Sequence, residues 1–91
     1  MESIHLEIRG RVQGVGFRWF VVERANDLKL AGWVRNNPDG SVEVAASGPS
    51  DALAGLESAV KSGPRGARID DVQVLPGLPD ADLPNPFRIA R

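Results

Sequence analysis

Three glycines lie close together near the start of the chain, in the segment GRVQGVGFR at positions 10–18. Glycine adopts backbone conformations that a Cβ excludes, so successive N–H groups of such a turn can face one centre and bind phosphate-like oxygens. A helix predicted to begin directly after the turn adds its own unpaired N–H groups there. Arg18 ends the segment with a planar fork of donors that fits a tetrahedral oxyanion. This glycine-rich segment therefore predicts an anion-binding turn between a strand and a helix.

Length and composition limit the chain to a small soluble fold. The 91 residues, 42% hydrophobic and 25% charged, suit one domain covering residues 1–91. No cysteine is present, which excludes disulfides, thiolate metal sites and a cysteine nucleophile. The net charge of -1 argues against a surface that neutralises many nucleic-acid phosphates. Because the first residues lack a signal-peptide pattern and no apolar run approaches ~18 residues, we expect a cytoplasmic protein that does not bind membranes.

The first half of the chain predicts a strand, a helix and a hairpin. Apolar and polar residues alternate over residues 4–9, the period of a strand covered on one face. Over residues 18–28 the apolar residues recur every three or four positions, which predicts a helix, and Gly32 is expected to end that segment. Two strands, over residues 33–36 and 41–46, flank an Asn-Pro-Asp-Gly turn.

The second half predicts a helix and two strands. Ser50 and Asp51 are expected to cap the helix, and the glycine-proline pair at 63–64 to end it. The strand predicted over residues 68–75 breaks strict alternation, so it needs either a bulge or a register change. Four prolines then predict a loop, beyond which residues 87–89 form a last edge strand.

The order of these elements is β-α-β-β-α-β. It predicts an α+β protein with the ferredoxin-like split βαβ fold, in which an antiparallel sheet carries two helices on one face. A right-handed crossover through the first helix makes the first two strands parallel, so their carboxyl ends emerge at the same edge of the sheet. Asn36, near the end of the second strand, is therefore expected to approach the anion-binding turn.

Two segments resemble the signatures of a known family. Residues 10–18 match G-x-V-Q-G-V-x-F-R, the first signature of acylphosphatases. Residues 32–36, GWVRN, resemble the second signature, which continues with Gly40, Val42 and Gly48. Similarity extends to residues 68–70 and 87–89, with the proline-rich stretch between them the least typical part. The resemblance implies the ferredoxin-like fold and a hydrolase without metal or cofactor that converts small acyl phosphates into a carboxylate and inorganic phosphate.

The resemblance also implies a role for individual residues. Arg18 and Asn36 are the expected catalytic residues, Arg18 to grip the phosphate and Asn36 to orient the attacking water. The phosphate is further expected to be held by the backbone N–H groups of a cradle loop, residues 13–17, which consists of Gln13, Gly14, Val15, Gly16 and Phe17. The leaving carboxylate needs no general acid, because its conjugate acid is strong. We expect a phosphate oxygen of the substrate to take the proton from water.

Each candidate residue also has a simpler interpretation. Arg18 could form a surface ion pair. Asn36 could serve only to form the hairpin turn, a common role for asparagine at such a position. His5 alternates with the apolar residues of its strand and is interpreted as solvent-facing structural surface. Asp70 and Asp71 point to opposite faces of a strand, so solvated charge is favoured over a metal pair. Whether the aromatic residues line a pocket for the acyl group is left open, with core packing favoured for most of them.

Three other functions are alternatives to hydrolysis. The first is a non-catalytic anion-binding module, since this fold carries many functions. The second is a stand-alone relative of the acylphosphatase-like domain that opens large carbamoyl-phosphate-processing maturation proteins. RNA binding is disfavoured because residues 4–9 and 41–46 contain no aromatic residue for stacking bases. The preferred expectation is a free-standing, monomeric hydrolase.

Overall fold

Strands and helices alternate along the residues that the computed structural model describes, 2–76 and 83–90. Their bounds, in chain order, are β1 Glu2–Arg11, α1 Phe17–Asp27, β2 Ala31–Asn36, β3 Val42–Gly48, α2 Ser50–Ser62, β4 Arg68–Val74 and β5 Arg88–Ile89. The predicted β-α-β-β-α-β order and the last edge strand are confirmed. Residues 77–82 of the predicted proline-rich loop lie outside the described residues.

All strands belong to one sheet, in the order β4-β1-β3-β2-β5. β3 pairs antiparallel with both β1 and β2, and β4 pairs antiparallel with β1. β5 pairs parallel with β2, which corrects the expectation of an entirely antiparallel sheet. No tight turn joins β5 to its neighbour, so an antiparallel pairing is not imposed on it. The carboxamide of Asn26 holds β5 in place by accepting from the N–H of Phe87 at 3.1 Å and donating to its C=O at 3.3 Å.

The hydrophobic core lies between the sheet and the two helices. Leu6 of β1 and Val44 of β3 are fully buried, as are Val21 of α1 and Leu56 of α2. The helices contact each other as well as the strands, so both cover the same face of the sheet, as predicted. Of the described helices, none is both long and apolar enough to cross a bilayer.

Helix α1 ends earlier than predicted. Its last residue is Asp27, and Lys29 adopts a left-handed conformation with φ of 59°. The N–H of Leu30 then donates to Ala25 O at 2.9 Å and the N–H of Lys29 to Asn26 O at 3.0 Å, the bonding pattern of a Schellman motif. Leu30 and Ala25 are both buried, which fixes the motif. The prediction that Gly32 ends the segment was therefore wrong, since Gly32 lies inside β2.

The ends of α2 partly follow the prediction. Pro49 occupies the N-cap position, and no side chain caps the helix there, so the expected capping by Ser50 and Asp51 was wrong. Asp51 Oδ1 instead accepts from the neighbouring N–H of Ala52 at 2.9 Å. Gly63, with φ of 70°, follows the last turn and stops the helix as predicted.

The irregularity predicted in β4 is a one-residue bulge. Arg9 pairs with Asp71, whereas the next residue of β1, Gly10, pairs with Ile69. Asp70 is thus the extra residue, and the alternation of β4 resumes on either side of it.

The hairpin loop between β2 and β3, residues 37–41, is closed by side chains as well as backbone. Asp39 Oδ1 accepts from the N–H and the hydroxyl of Ser41, at 3.0 and 2.7 Å, and Arg9 Nη2 donates to Asp39 Oδ2 at 2.9 Å. Hydrogen bonds lower the pKa of Asp39 to about 2, from an ordinary value of 3.8. The bond from the Ser41 hydroxyl has the largest effect, followed by the bond from the Ser41 N–H and then the bond from Arg9. The ionised carboxylate therefore stabilises the loop.

Replacing Lys29 with glycine should stabilise the protein, because the left-handed conformation strains any residue that carries a Cβ. We expect Lys29→Gly to raise the free energy of unfolding by about 0.5–1 kcal/mol, measured by urea denaturation at neutral pH. Lys61→Gly is the matched control, since Lys61 lies in the regular last turn of α2 and pairs with Glu57 at 3.0 Å. It should destabilise the protein. Destabilisation by both substitutions would contradict the capping geometry.

Asp39 should also make stability depend on pH. A carboxyl whose pKa is lower in the folded state stabilises that state above its unfolded pKa and loses the contribution as pH falls through the folded pKa. The free-energy difference between wild type and Asp39→Asn should therefore be constant above about pH 4 and shrink between about pH 4 and 2. Urea denaturation across this range measures it, with Glu23→Gln as the control for removing an exposed carboxylate. A difference that persists unchanged to pH 2 would refute the assignment.

Candidate active site

The cradle loop has the backbone conformation of an anion-binding turn. Gly14 and Gly16 adopt left-handed conformations, with φ of 75° and 77°, while Val15 between them does not. Such alternation of left- and right-handed residues turns successive N–H groups toward one centre. No neighbouring atom would obstruct a Cβ at either glycine, so the requirement there is conformational rather than one of space.

The backbone N–H groups of residues 13–18 have no acceptors among the described protein groups. Within residues 2–76 and 83–90, none of the backbone N–H groups of residues 13–18 donates to a protein oxygen. The first helical bond runs from Phe20 N to Gly16 O, at 3.1 Å. No side chain caps α1 and no acidic residue lies in its first turn. The helix N-terminus and the cradle loop thus present several unpaired donors and an uncompensated positive end of a helix dipole.

Arg18 lies in the first turn of α1, directly after the cradle loop, and its side chain is half-buried. The ion pairs among the described residues do not include it. The alternative of a surface ion pair is therefore not supported.

Asn36 is the last residue of β2. It pairs with Val42, a core residue, and so faces the side of the sheet that carries α1 and Arg18. Asn36 Oδ1 is buried and accepts no hydrogen bond from the described protein groups. The side-chain bonds of the hairpin loop come from Asn37, Asp39 and Ser41, so turn formation does not account for Asn36.

The side chain of Gln13 joins the cradle loop to the hairpin loop. Its Nε2 donates to Asn37 O and to Ser41 O, each at 3.0 Å. The predicted meeting of the two segments at one edge of the sheet is confirmed by these bonds. Sequence reasoning assigned only the backbone of Gln13 and missed its side chain, because both acceptors are backbone carbonyls that leave no mark in the sequence.

The face of the sheet opposite the helices, here called the open face, holds a second polar cluster. Glu43 is hydrogen-bonded to His5 Nε2 and accepts from Arg35 Nη2 at 3.0 Å, while Arg35 stacks on Trp33 with 4.8 Å to the ring centroid. Burial raises the pKa of Glu43, but the bonds from His5 and Arg35 outweigh it, and the pKa lies below its ordinary value.

The predicted orientation of His5 away from the core is confirmed, but its exposure is not. Its side chain is only 12% exposed, because Glu43 from the neighbouring strand β3 and Trp33 from β2, the strand beyond β3, contact it. Asp70, for its part, is paired with Arg68 at 3.0 Å on the exposed edge strand, in agreement with solvated charge. In the described ranges no three histidine or acidic side chains gather into a metal-binding group.

The aromatic side chains divide between core and surface. Phe17 and Phe87 are buried in the core, and Phe20 packs partly against it, as favoured from the sequence. Trp19 is 66% exposed in the first turn of α1, next to Arg18. Among the aromatic residues that core packing does not explain, Trp19 lies nearest in the chain to the candidate site.

Comparisons with known proteins agree with this architecture. The acylphosphatase family model matches residues 4–89. An acylphosphatase of Koribacter versatilis is 55% identical over 82 residues, which cover 90% of this chain and 74% of that protein.

Solved structures give the same result. The crystal structure of acylphosphatase from Bacillus subtilis superposes with a TM-score of 0.87 at 41% identity and full coverage of both chains. The crystal structure of T. kodakarensis HypF matches at a TM-score of 0.78 and 34% identity, covering 98% of this chain but 12% of that one. The family match across nearly the whole chain and the fold shared with an acylphosphatase show that the chain belongs to the acylphosphatase family and hydrolyses acyl phosphates.

Proposed function

We propose that Arg18 and Asn36 are the catalytic residues of this hydrolysis and that the cradle loop binds the phosphoryl group of the substrate. The observation that carries the proposal is the set of unpaired N–H groups of residues 13–18 at the start of α1. Donors that pair with no acceptor among the described residues, next to a helix N-terminus and in a segment that ends in an arginine, suit a group with several negatively charged oxygens.

Asn36 has the properties needed to hold the attacking water. Its Oδ1 is buried and accepts from no described protein group, so it can accept a hydrogen bond from water. The carboxamide does not ionise, so it orients the water without removing the proton. The position of Asn36 on the same side and edge of the sheet as the cradle loop supports attack on a phosphorus held there.

The reaction then balances without a general acid. Water oxygen forms a bond to phosphorus while the bond from phosphorus to the acyl oxygen breaks, and its electron pair leaves with the carboxylate. The proton lost by water passes to a phosphate oxygen, which gives dihydrogen phosphate. Negative charge spreads over the equatorial oxygens during transfer, where the N–H groups and Arg18 stabilise it. No step requires a metal ion.

We also propose that residues 1–91 act as one monomeric domain in the cytoplasm, without nucleic-acid or membrane partners. A single hydrophobic cluster includes buried residues from both helices and from β1, β2 and β3. The large apolar side chains that are exposed in the described part of the chain are Trp19, in α1, and Val74, in β4.

Substitution of the two proposed catalytic residues separates binding from turnover. We expect Asn36→Ala to lower kcat on benzoyl phosphate by about a hundredfold or more, because the attacking water is no longer held in line, with inhibition by inorganic phosphate changed less than about threefold. Arg18→Ala should lower kcat by at least as much and also weaken inhibition by phosphate. Steady-state kinetics with excess chelator present measure both.

Controls for this experiment come from the same chain. Arg65→Ala removes an exposed arginine outside the site and should leave the kinetics unchanged. Wild-type activity should be equal with and without chelator. Full activity in both Arg18→Ala and Asn36→Ala would reject the catalytic assignment. If Asn36→Ala keeps phosphate binding and wild type shows no turnover, the chain is an anion-binding module.

The oligomeric state can be measured directly. Light scattering of the purified protein at micromolar concentration should give the mass of one chain, since the large apolar side chains exposed in the described part of the chain are only two, Trp19 and Val74, on different elements. A dimer mass that persists on dilution would contradict the proposal.

A further inference from the structure

The side chain of Gln13 joins two segments of the candidate site that are far apart in the chain. Its Nε2 donates to Asn37 O and Ser41 O at 3.0 Å each, across sequence separations of 24 and 28 residues. Both acceptors are carbonyl oxygens, so the orientation of the amide is fixed with its NH₂ group toward the hairpin loop. The side chain is partly buried there.

These bonds are not needed to close the hairpin loop. Asn37 O already accepts from Gly40 N at 3.1 Å, and Ser41 O already accepts from Asn37 N at 2.8 Å. Asp39 and Ser41 add two further bonds within the loop. What the Gln13 amide adds is a fixed distance between the hairpin loop and the cradle loop, of which Gln13 is the first residue.

Asn36, the last residue of β2, directly precedes Asn37, the first residue that the Gln13 amide contacts. Because Asn36 Oδ1 has no donor of its own among the described groups, neighbouring side chains do not hold its oxygen. Its position relative to the cradle loop therefore depends on the backbone. In-line attack requires the reacting atoms to lie within about 3–3.5 Å and aligned, and a shift of about 1 Å costs on the order of a hundredfold.

We infer that Gln13 is a positioning residue for the hydrolysis: through the carbonyls of Asn37 and Ser41 its side chain fixes the Asn36 carboxamide against the phosphoryl group bound by the cradle loop. The inference rests on the proposed role of Asn36. It assigns to the Gln13 side chain a function separate from that of its backbone N–H, which contributes to phosphate binding.

The first test replaces the amide with an apolar group of similar length. Gln13→Met keeps the backbone N–H groups and removes both bonds, so kcat on benzoyl phosphate should fall by about tenfold to a hundredfold. The inhibition constant of inorganic phosphate should change by less than about threefold, because the cradle loop stays intact. Gln73→Met, at an exposed position of β4, is the matched control and should match wild type.

The second test is a double-mutant cycle with Asn36. In an Asn36→Ala background Gln13→Met should lower kcat by less than about threefold, because the residue it positions is absent. An equal loss in both backgrounds would assign Gln13 to general stability and overturn the inference. Unchanged kcat for Gln13→Met in the wild-type background would overturn it as well.

Two further measurements keep the result interpretable. Urea denaturation monitors folding of each variant, and Gln13→Asn, whose amide is one methylene too short to reach both carbonyls, should show the same kcat loss if Gln13→Met does not fold. If Asn36→Ala is itself fully active, the proposed function fails. If Asn36→Ala loses turnover while Gln13→Met and Gln13→Asn keep it, only the role of Gln13 fails.

Discussion

The position of β3 between β1 and β2 is the constraint on which the site depends. Antiparallel bonds on both sides of β3 force β1 and β2 to run in the same direction, so their carboxyl ends lie at one edge of the sheet. The cradle loop follows β1 and the hairpin loop follows β2, and the two meet there. A loop whose backbone N–H groups are unpaired among the described residues and a polar side chain from a distant part of the chain are thus brought together by strand order alone.

The cradle loop is anchored at both ends, by Val12, which precedes it, and by Phe17, its last residue. Val12 and Phe17 are each only 1% exposed, and they fix both ends of the loop in the core. Burial of a side chain of this size contributes roughly 1.5–3 kcal/mol, which offsets the left-handed backbone and the missing protein hydrogen bonds between them. The loop can therefore be held open to a ligand by packing rather than by its own bonds.

Polar contacts hold the hairpin loop in place. Asp39 and Ser41 close it internally, and Arg9 and Gln13 tie it to the end of β1 and to the cradle loop. On the open face, Glu43 is bonded to His5 and Arg35 just beyond the loop. The helix-covered face thus carries Asn36 and Arg18, while the opposite face supplies a rigid support for the strand that ends in Asn36.

The sequence by itself determined the order of elements, the glycine-rich turn before α1 and the residues that resemble the two signatures, because periodicity, glycines and an arginine are local properties. It also required an irregularity in β4, though only pairing with β1 decided that Asp70 is a bulge. The tertiary structure alone decided the end of α1 at Asp27, the burial of His5, the parallel pairing of β5 and the contact from Gln13 to the hairpin loop. Each of these four features depends on a partner far away in the chain or on a backbone carbonyl. The residue type at a position encodes neither kind of partner.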